Sequence, residues 1–303
     1  MTTEVPPLIT AAALDVALGA ESLWSGAGRR RSSWRVLDVR WKLGGPPGRE
    51  EYERGHIPGA VYVDLDTELA GHGAPTDGRH PLPAIEDFQE AARRWGLHEG
   101  DSVVVYDDVF GGSAARAWWL LRHAGVRDVR VLDGGLAAWR EAGLPLQTGA
   151  VLTAPGDLEL SFGELPTIDA DGAAALAEAS DSVLLDARAG ERFRGEVEPV
   201  DPRPGHIPGA VSAPSTAVLD AEGRMLPAAV LRERFAELGI GAGTPVGVYC
   251  GSGVTAAHEA LALVVAGLPM PSLYPGSYSA WSNDPARPVV TGPAATGPAA
   301  TEA

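Results

Sequence analysis

One seven-residue string occurs twice in this chain, and that duplication constrains the architecture before any element is assigned. Gly55-His56-Ile57-Pro58-Gly59-Ala60-Val61 returns letter for letter as Gly205 to Val211, an offset of 205 minus 55, or 150. Three further landmarks keep the same order at nearly the same spacing. Leu37-Asp38-Val39-Arg40 answers Leu185-Asp186-Ala187-Arg188, and Val105-Tyr106-Asp107 answers Val248-Tyr249-Cys250. Asp133-Gly134-Gly135 with Trp139 answers Pro275-Gly276-Ser277 with Trp281. Four landmarks in register mean two copies of one domain, each of roughly 125 to 150 residues and able to bury its own core. The first copy is expected over residues 8–145 and the second over 167–291. Residues 146–166, which end in TAPGDLELSFGELP, read as the linker between them; 292–303, GPAATGPAATEA, read as a low-complexity, disordered tail.

Within each copy, short β-branched runs alternate with longer helical stretches. SVVVYD reads as a buried strand, Ala114 to His123 as an amphipathic helix, VRVLDG as a second strand, and Leu136 to Ala142 as a helix closed by Gly143 and Pro145. The second copy offers SVLLDAR, PVGVYC and a helix over 255–266. This alternation predicts α/β domains, each a mostly parallel sheet flanked by helices, with ligands bound beyond the carboxyl ends of the strands.

Cys250, the only cysteine in 303 residues, stands at such an end. A lone cysteine is often no more than a small buried hydrophobe. Here VGVYC breaks into Gly251-Ser252-Gly253-Val254-Thr255 and then a helix, a layout that turns backbone N–H groups and the positive end of a helix toward the thiol. Such a setting favours a nucleophilic thiolate, for which a core cysteine has no use. The matching residue in the first copy is Asp107, which cannot serve as a thiol. Chemistry is therefore expected in the second copy, with the first as scaffold or as one wall of a cleft.

The formal charge of −16 argues against nucleic acid and anionic membranes as partners, because both require a positive face. Basic residues are almost all arginine, with Lys42 the only lysine, which reads as compositional bias rather than a binding signature. No apolar run reaches the ~18 residues of a membrane span. MTTEVPPLIT lacks the basic and apolar segments of a signal peptide, so a cytoplasmic location is expected. One cysteine excludes an intrachain disulfide, and a reducing compartment preserves a catalytic thiol. One cysteine with scattered histidines makes no ligand set of the usual spacing, so no metal or other cofactor is implied.

Over about residues 8 to 290 the chain resembles the two-domain rhodanese-type sulfurtransferases, and among them the 3-mercaptopyruvate sulfurtransferases. Tyr52-Glu-Arg-Gly-His56-Ile-Pro-Gly-Ala60 is similar to the family's N-terminal signature, and Cys250-Gly-Ser-Gly-Val-Thr255 to the mercaptopyruvate form of its active-site loop. Tyr274-Pro-Gly-Ser-Tyr-Ser-Ala-Trp281 departs from the C-terminal signature at Tyr278, where tryptophan or phenylalanine is usual, and at Ala280, where glutamate is usual; both read as packing variation. The resemblance implies two tandem rhodanese-like domains, the first without chemistry. It also implies an enzyme that moves sulfane sulfur from 3-mercaptopyruvate, through a persulfide on Cys250, to a thiol, cyanide or thioredoxin. With no second cysteine to form a resolving disulfide, the acceptor must be external.

Loop composition bears on the donor. Thiosulfate-preferring rhodaneses resemble Cys-Arg-Lys-Gly-Val-Thr, whose two cations suit a dianion; Gly251 and Ser252 replace them here and point to a monoanionic α-keto acid thiol. By resemblance, Arg192 and Arg203 would hold the carboxylate and ketone, since a planar guanidinium matches a carboxylate with two hydrogen bonds, and Arg194 competes for that place. Amides of Gly251, Gly253, Val254 and Thr255 would hold the outer sulfur. Ser252, with His80 and Asp66 of the first copy, is implied either as a relay for the substrate's thiol proton or as plain hydrogen-bonding partners. Histidine suits a relay because it titrates near neutrality, provided the groups lie within about 3 Å. His56 and His206 read as structural, since the copy without chemistry keeps its own. Three rivals stand beside this reading: a thiosulfate:cyanide sulfurtransferase, a Cys-x5-Arg phosphatase, opposed by Ala256 where the arginine would stand, and a noncatalytic binding module. Asp107 favours the module for the first copy, and the loop around Cys250 opposes it for the second.

Overall fold

The computed structural model describes residues 5–24 and 33–293; the expected tail lies, from Ala294 onward, outside them. In the first copy the order is β1 (Leu8–Ile9), α1 (Ala11–Trp24), β2 (Trp34–Asp38), α2 (Gly48–Arg54), β3 (Val61–Tyr62), α3 (Leu65–Glu68), α4 (Ile85–Arg94), β4 (Ser102–Tyr106), α5 (Gly112–His123), β5 (Val129–Leu132) and α6 (Gly135–Glu141). The second runs α7 (Ala170–Glu178), β6 (Val183–Asp186), α8 (Gly190–Phe193), β7 (Val211–Ser212), α9 (Ala228–Glu237), β8 (Val246–Tyr249), α10 (Thr255–Val265), β9 (Ser272–Leu273) and α11 (Ser277–Asn283). The sheets are ordered β1-β5-β4-β2-β3 and β7-β6-β8-β9, and every pairing is parallel. Helices cover both faces of such sheets, which is why the central runs VVVY and LLD are continuously apolar up to their carboxyl ends rather than alternating. The counterpart of β1 in the second copy shrinks to one bridge, Thr167 with Leu273.

The duplicated landmarks touch one another, which explains why they recur together. In the first copy Arg40 grips Asp38 through Nε and Nη2, and Nη2 also donates to the Gly55 carbonyl at 3.0 Å. Tyr106 donates its hydroxyl to Asp38 and accepts the Ile57 N–H. The second copy repeats the device: Arg188 grips Asp186 and donates to the Gly205 carbonyl at 2.7 Å, and Tyr249 accepts the Ile207 N–H. His56 and His206 stack on Tyr52 and Phe193 and set Nδ1 against those residues' carbonyls. All of these groups are buried, so a half-formed set would leave unpaired polar atoms in the core.

The copies meet through equivalent helices. α5 and α10 each follow the strand end that carries Asp107 or Cys250, and they pack together on small residues. A Cβ on Gly112 would lie 3.3 Å from Thr255 Cγ2, and Ala256, Ala257 and Ala260 are fully buried. Around this contact one apolar cluster runs through both copies, from Trp119 and Leu121 to Leu261 and Leu263. Each such side chain contributes about 1.5–3 kcal/mol by leaving water. Segment 146–166 forms no helix and no strand beyond an isolated bridge from Gln147 to His56; it is hydrogen-bonded along the first copy, as at Gly156 to Arg93 and Leu158 to Leu97. Among the described residues no helix is long and apolar enough to cross a membrane.

Candidate active site

Cys250 follows directly on β8, and the loop after it is braced from behind by α11. The carbonyls of Cys250 and Gly251 accept the N–H groups of Tyr278 and Ser279, both at 2.9 Å, and the Cys250 N–H donates to Ser277 Oγ. Gly253 turns the loop with φ +79°, and a Cβ there would stand 2.6 Å from the Pro275 carbonyl oxygen, so only glycine fits. Its N–H donates to Cys250 Sγ at 3.1 Å. α10 then opens at Thr255, so the loop rises from a strand end and closes on a helix amino terminus.

The first copy shows what such a loop holds. Asp107 sits at the matching place and fills the turn with its own carboxylate, accepting four N–H groups, from Val109, Gly111, Ser113 and Ala114, at 3.0–3.1 Å. Burial outweighs these donors and pushes Asp107 up to about 6. The turn is thus an anion cradle in both copies, self-filled in one and presenting sulfur in the other.

Three side chains cross the domain boundary in a line. His80 Nδ1 lies 2.8 Å from Ser252 Oγ, and its Nε2 lies 3.2 Å from Asp66 Oδ1. A carboxylate can only accept, so Nε2 carries the proton and Nδ1 accepts the Ser252 hydroxyl. Trp41 Nε1 donates to the other Asp66 oxygen, and its ring meets the His80 ring edge-on. Burial, followed by the Arg116 cation, pushes His80 below its ordinary value against the pull of Asp66, so the imidazole is neutral at neutral pH.

A cavity of about 320 Å³ opens beside Cys250, bordered by Ser252, Arg192, Arg188, Arg79 and Trp41. Arg192 reaches it, donating on its other side to Glu198 and Asp201. Arg203 does not. Its guanidinium donates to four carbonyls, those of Trp281, Ser282, Asp284 and Arg287, and so closes the carboxyl end of α11. Contrary to expectation, Arg203 is not brought to the cavity: four of its five N–H donors go to the open carbonyls of a chain turn, and it is not among the residues that border the cavity. Arg194 is exposed and paired with Glu196. Tyr278 donates its hydroxyl to the Arg203 carbonyl and lies 3.7 Å beneath the Arg188 guanidinium.

Arg79, Arg116 and Trp41 were not singled out from the sequence. Arg116 is the most unusual of them: it lies on α5, fully buried, and has no carboxylate partner among the described residues. It donates to the carbonyls of Leu69, His80, Pro81 and Gly253, tying the histidine segment of one copy to the cysteine loop of the other. Burial pushes it down to about 10, and a Cys250 thiolate pulls it back up. Its signal in the sequence, one cation within the small and aromatic run GSAARAWWLL, reads equally well as a solvated face.

Fold and site together define a tandem α/β protein in which one copy keeps a cradled cysteine and the other supplies a wall of its cleft. The chain belongs to the rhodanese family: the rhodanese-like domain profile matches residues 20–142 and again 169–284. It is 48% identical over 266 residues to the "Probable 3-mercaptopyruvate sulfurtransferase" of Pseudomonas aeruginosa, covering 85% of this chain and 92% of that one. It is also 48% identical over 264 residues to the "Putative thiosulfate sulfurtransferase SseB" of Mycobacterium tuberculosis, covering 86% and 91%. The crystal structure of SseA from Escherichia coli, described with the mechanism of 3-mercaptopyruvate sulfotransferases, matches with a TM-score of 0.78 at 33% identity, over 90% of this chain and 99% of that one.

Proposed function

We propose that the protein is a sulfurtransferase that takes sulfane sulfur from 3-mercaptopyruvate onto Cys250 and passes it to an external acceptor, a thiol, cyanide or a thioredoxin. The observation that carries this reading is the approach of His80 and Asp66 to Ser252, two residues beyond a cysteine whose sulfur already accepts a loop N–H. In the first step the Cys250 thiolate attacks the donor sulfur; an S–S bond forms, the donor C–S bond breaks, and its electron pair leaves on pyruvate as the enolate. The thiol proton of the donor ends on that carbon, giving pyruvate, and Ser252 with neutral His80 provides a route for it. The anionic persulfide is held by the loop amides, as the Asp107 carboxylate is in the first copy. In the second step the acceptor attacks the outer sulfur and restores the thiolate. We infer domain limits of 8–145 and 167–291, and a cytoplasmic setting that keeps the thiol reduced.

Electrostatics favour this donor over thiosulfate. Near Gly251 the cations of Arg79 and Arg192 are offset by Asp201 and Glu198, so the mouth of the site is close to neutral, which suits one negative charge better than two. The name of the mycobacterial relative favours thiosulfate as the second reading. Steady-state transfer to cyanide from each donor, for wild type and Cys250→Ser, separates the cases. A clear preference for mercaptopyruvate, lost in the variant, is expected; a preference for thiosulfate would reverse the assignment, and activity without Cys250 would remove the nucleophile.

A further inference from the structure

We propose that a second cavity, between the Asp107 turn and the second copy, binds a small organic cation of the alkylammonium class. It has a volume of about 90 Å³ and shares no bordering residue with the cavity beside Cys250, so the proposal stands apart from the sulfurtransferase reading. The turn after Asp107 forms one wall and the loop after β5 another. The second copy closes the space with His258 and Leu261 of α10 and with the turn 219–225, whose ends Leu219 and Met225 form an antiparallel bridge. The Met225 N–H donates to Asp133 Oδ1 at 2.8 Å and fixes that turn on the first copy. Asp107, Asp108, Asp133 and Glu222 border the cavity, and no lysine or arginine does. Asp107 is filled by its own turn, and Asp108 pairs with Lys42 from outside at 3.6 Å. Glu222 stands exposed at the rim.

His258 points to a ligand. It is only 3% exposed, and neither ring nitrogen has a hydrogen-bond partner among the described residues. Gly111 faces it with φ +78°, and a Cβ there would stand 3.2 Å from His258 Nε2, so glycine keeps the space in front of the ring open. Burial pushes His258 down to about 4, so at neutral pH the ring is uncharged and holds one nitrogen lone pair that an ammonium N–H can fill. A buried acceptor left unpaired is costly, and such groups as a rule have partners. Phe110 stands at the rim, 61% exposed and in the left-handed region at φ +55°. A bulky residue is held there only where its surroundings enforce it, and an aromatic face beside carboxylates suits an organic cation. Leu132, Leu261 and Met225 offer apolar walls to a carbon chain. Among the described residues no group of three His, Cys, Asp or Glu is placed to hold a metal ion, which favours an organic over an inorganic cation. The volume matches about three waters, a space that a chain of about three or four carbons fills.

The test titrates n-butylammonium and its neutral analogue 1-butanol into the full chain, followed by ligand-observed NMR at about 0.15 M salt, where distant surface charges are screened. Butylammonium is expected to saturate with a Kd of about 0.3–5 mM, and 1-butanol to bind at least about fivefold more weakly. Asp108→Asn combined with Glu222→Gln should weaken butylammonium at least about fivefold and leave 1-butanol within about twofold. Glu53→Gln combined with Glu99→Gln removes the same charge from exposed positions elsewhere and should leave both probes within about twofold. His258→Leu removes the acceptor and should weaken butylammonium by a similar factor; if it does not fold, the two double variants decide. No saturation by about 50 mM, equal binding of the two probes, or unchanged affinity in a folded His258→Leu would overturn the proposal. Equal losses in the two double variants would also overturn it, since they would mark a diffuse attraction of cations to a chain of net charge −16.

Discussion

Replacing Arg116 with methionine should separate stability from activity, and the magnitudes show why. Its two shorter contacts, to the Leu69 carbonyl at 3.2 Å and the His80 carbonyl at 3.1 Å, would be lost in a buried site. Each orphaned carbonyl costs about 1–3 kcal/mol, so the gross loss is about 2–6 kcal/mol. Against this stands the cost of burying the guanidinium. Burial pushes Arg116 from the ordinary guanidinium range down to about 10, which corresponds to about 3 kcal/mol of destabilised charge that the variant no longer carries. The net change in unfolding free energy is therefore expected within about 3 kcal/mol, small enough for the variant to fold. Activity should fall much further, by about 30-fold or more, because the same guanidinium ties the His80 segment to the Gly253 carbonyl and faces the thiolate. Urea unfolding beside sulfur transfer to cyanide measures both, and Arg116→Lys, which keeps the charge but not the fork, should fall between. A folded Arg116→Met with activity within about threefold of wild type would refute the reasoning.

Glu259 on α10 is fully buried, its Oε2 has no partner among the described residues, and burial pushes it up to about 8. The unfolded chain releases this proton near 4.5 while the folded protein keeps it to about 8, so stability falls as pH rises through that window, by about 1.4 kcal/mol per pH unit. Glu259→Gln should therefore stabilise the protein by up to roughly 3 kcal/mol at pH 7 and by under about 1 kcal/mol at pH 5; equal differences in urea unfolding at the two pH values would disprove it. Gly253→Ala should lower sulfur transfer at least about tenfold and stability by about 1–3 kcal/mol, because a Cβ at φ +79° meets the Pro275 carbonyl and displaces the N–H that contacts Sγ. Wild-type turnover by that variant would show that the loop tolerates the shift.

Duplication, parallel α/β layering and the place of Cys250 were legible in the chain itself, because each depends on local pattern. Strand runs such as VVVY and the helices behind them follow from the spacing of apolar residues, and the strand–loop–helix at Cys250 from the glycines that permit the turn. His80, Asp66 and Ser252 could be named only through family resemblance, since residues 66, 80 and 252 have no local relation and meet only where the two copies close on each other, with the Arg79 N–H docked on Ser279 of α11. The cations show the limit most clearly. Arg203 stands two residues before a landmark and Arg79 next to His80, and no spacing distinguishes them. Tertiary structure turned Arg203 onto the open carbonyls at the end of α11 and Arg79 onto the cysteine loop. A guanidinium goes where unpaired acceptors lie within reach of its long side chain, and which acceptors those are is decided only when the two copies close on each other.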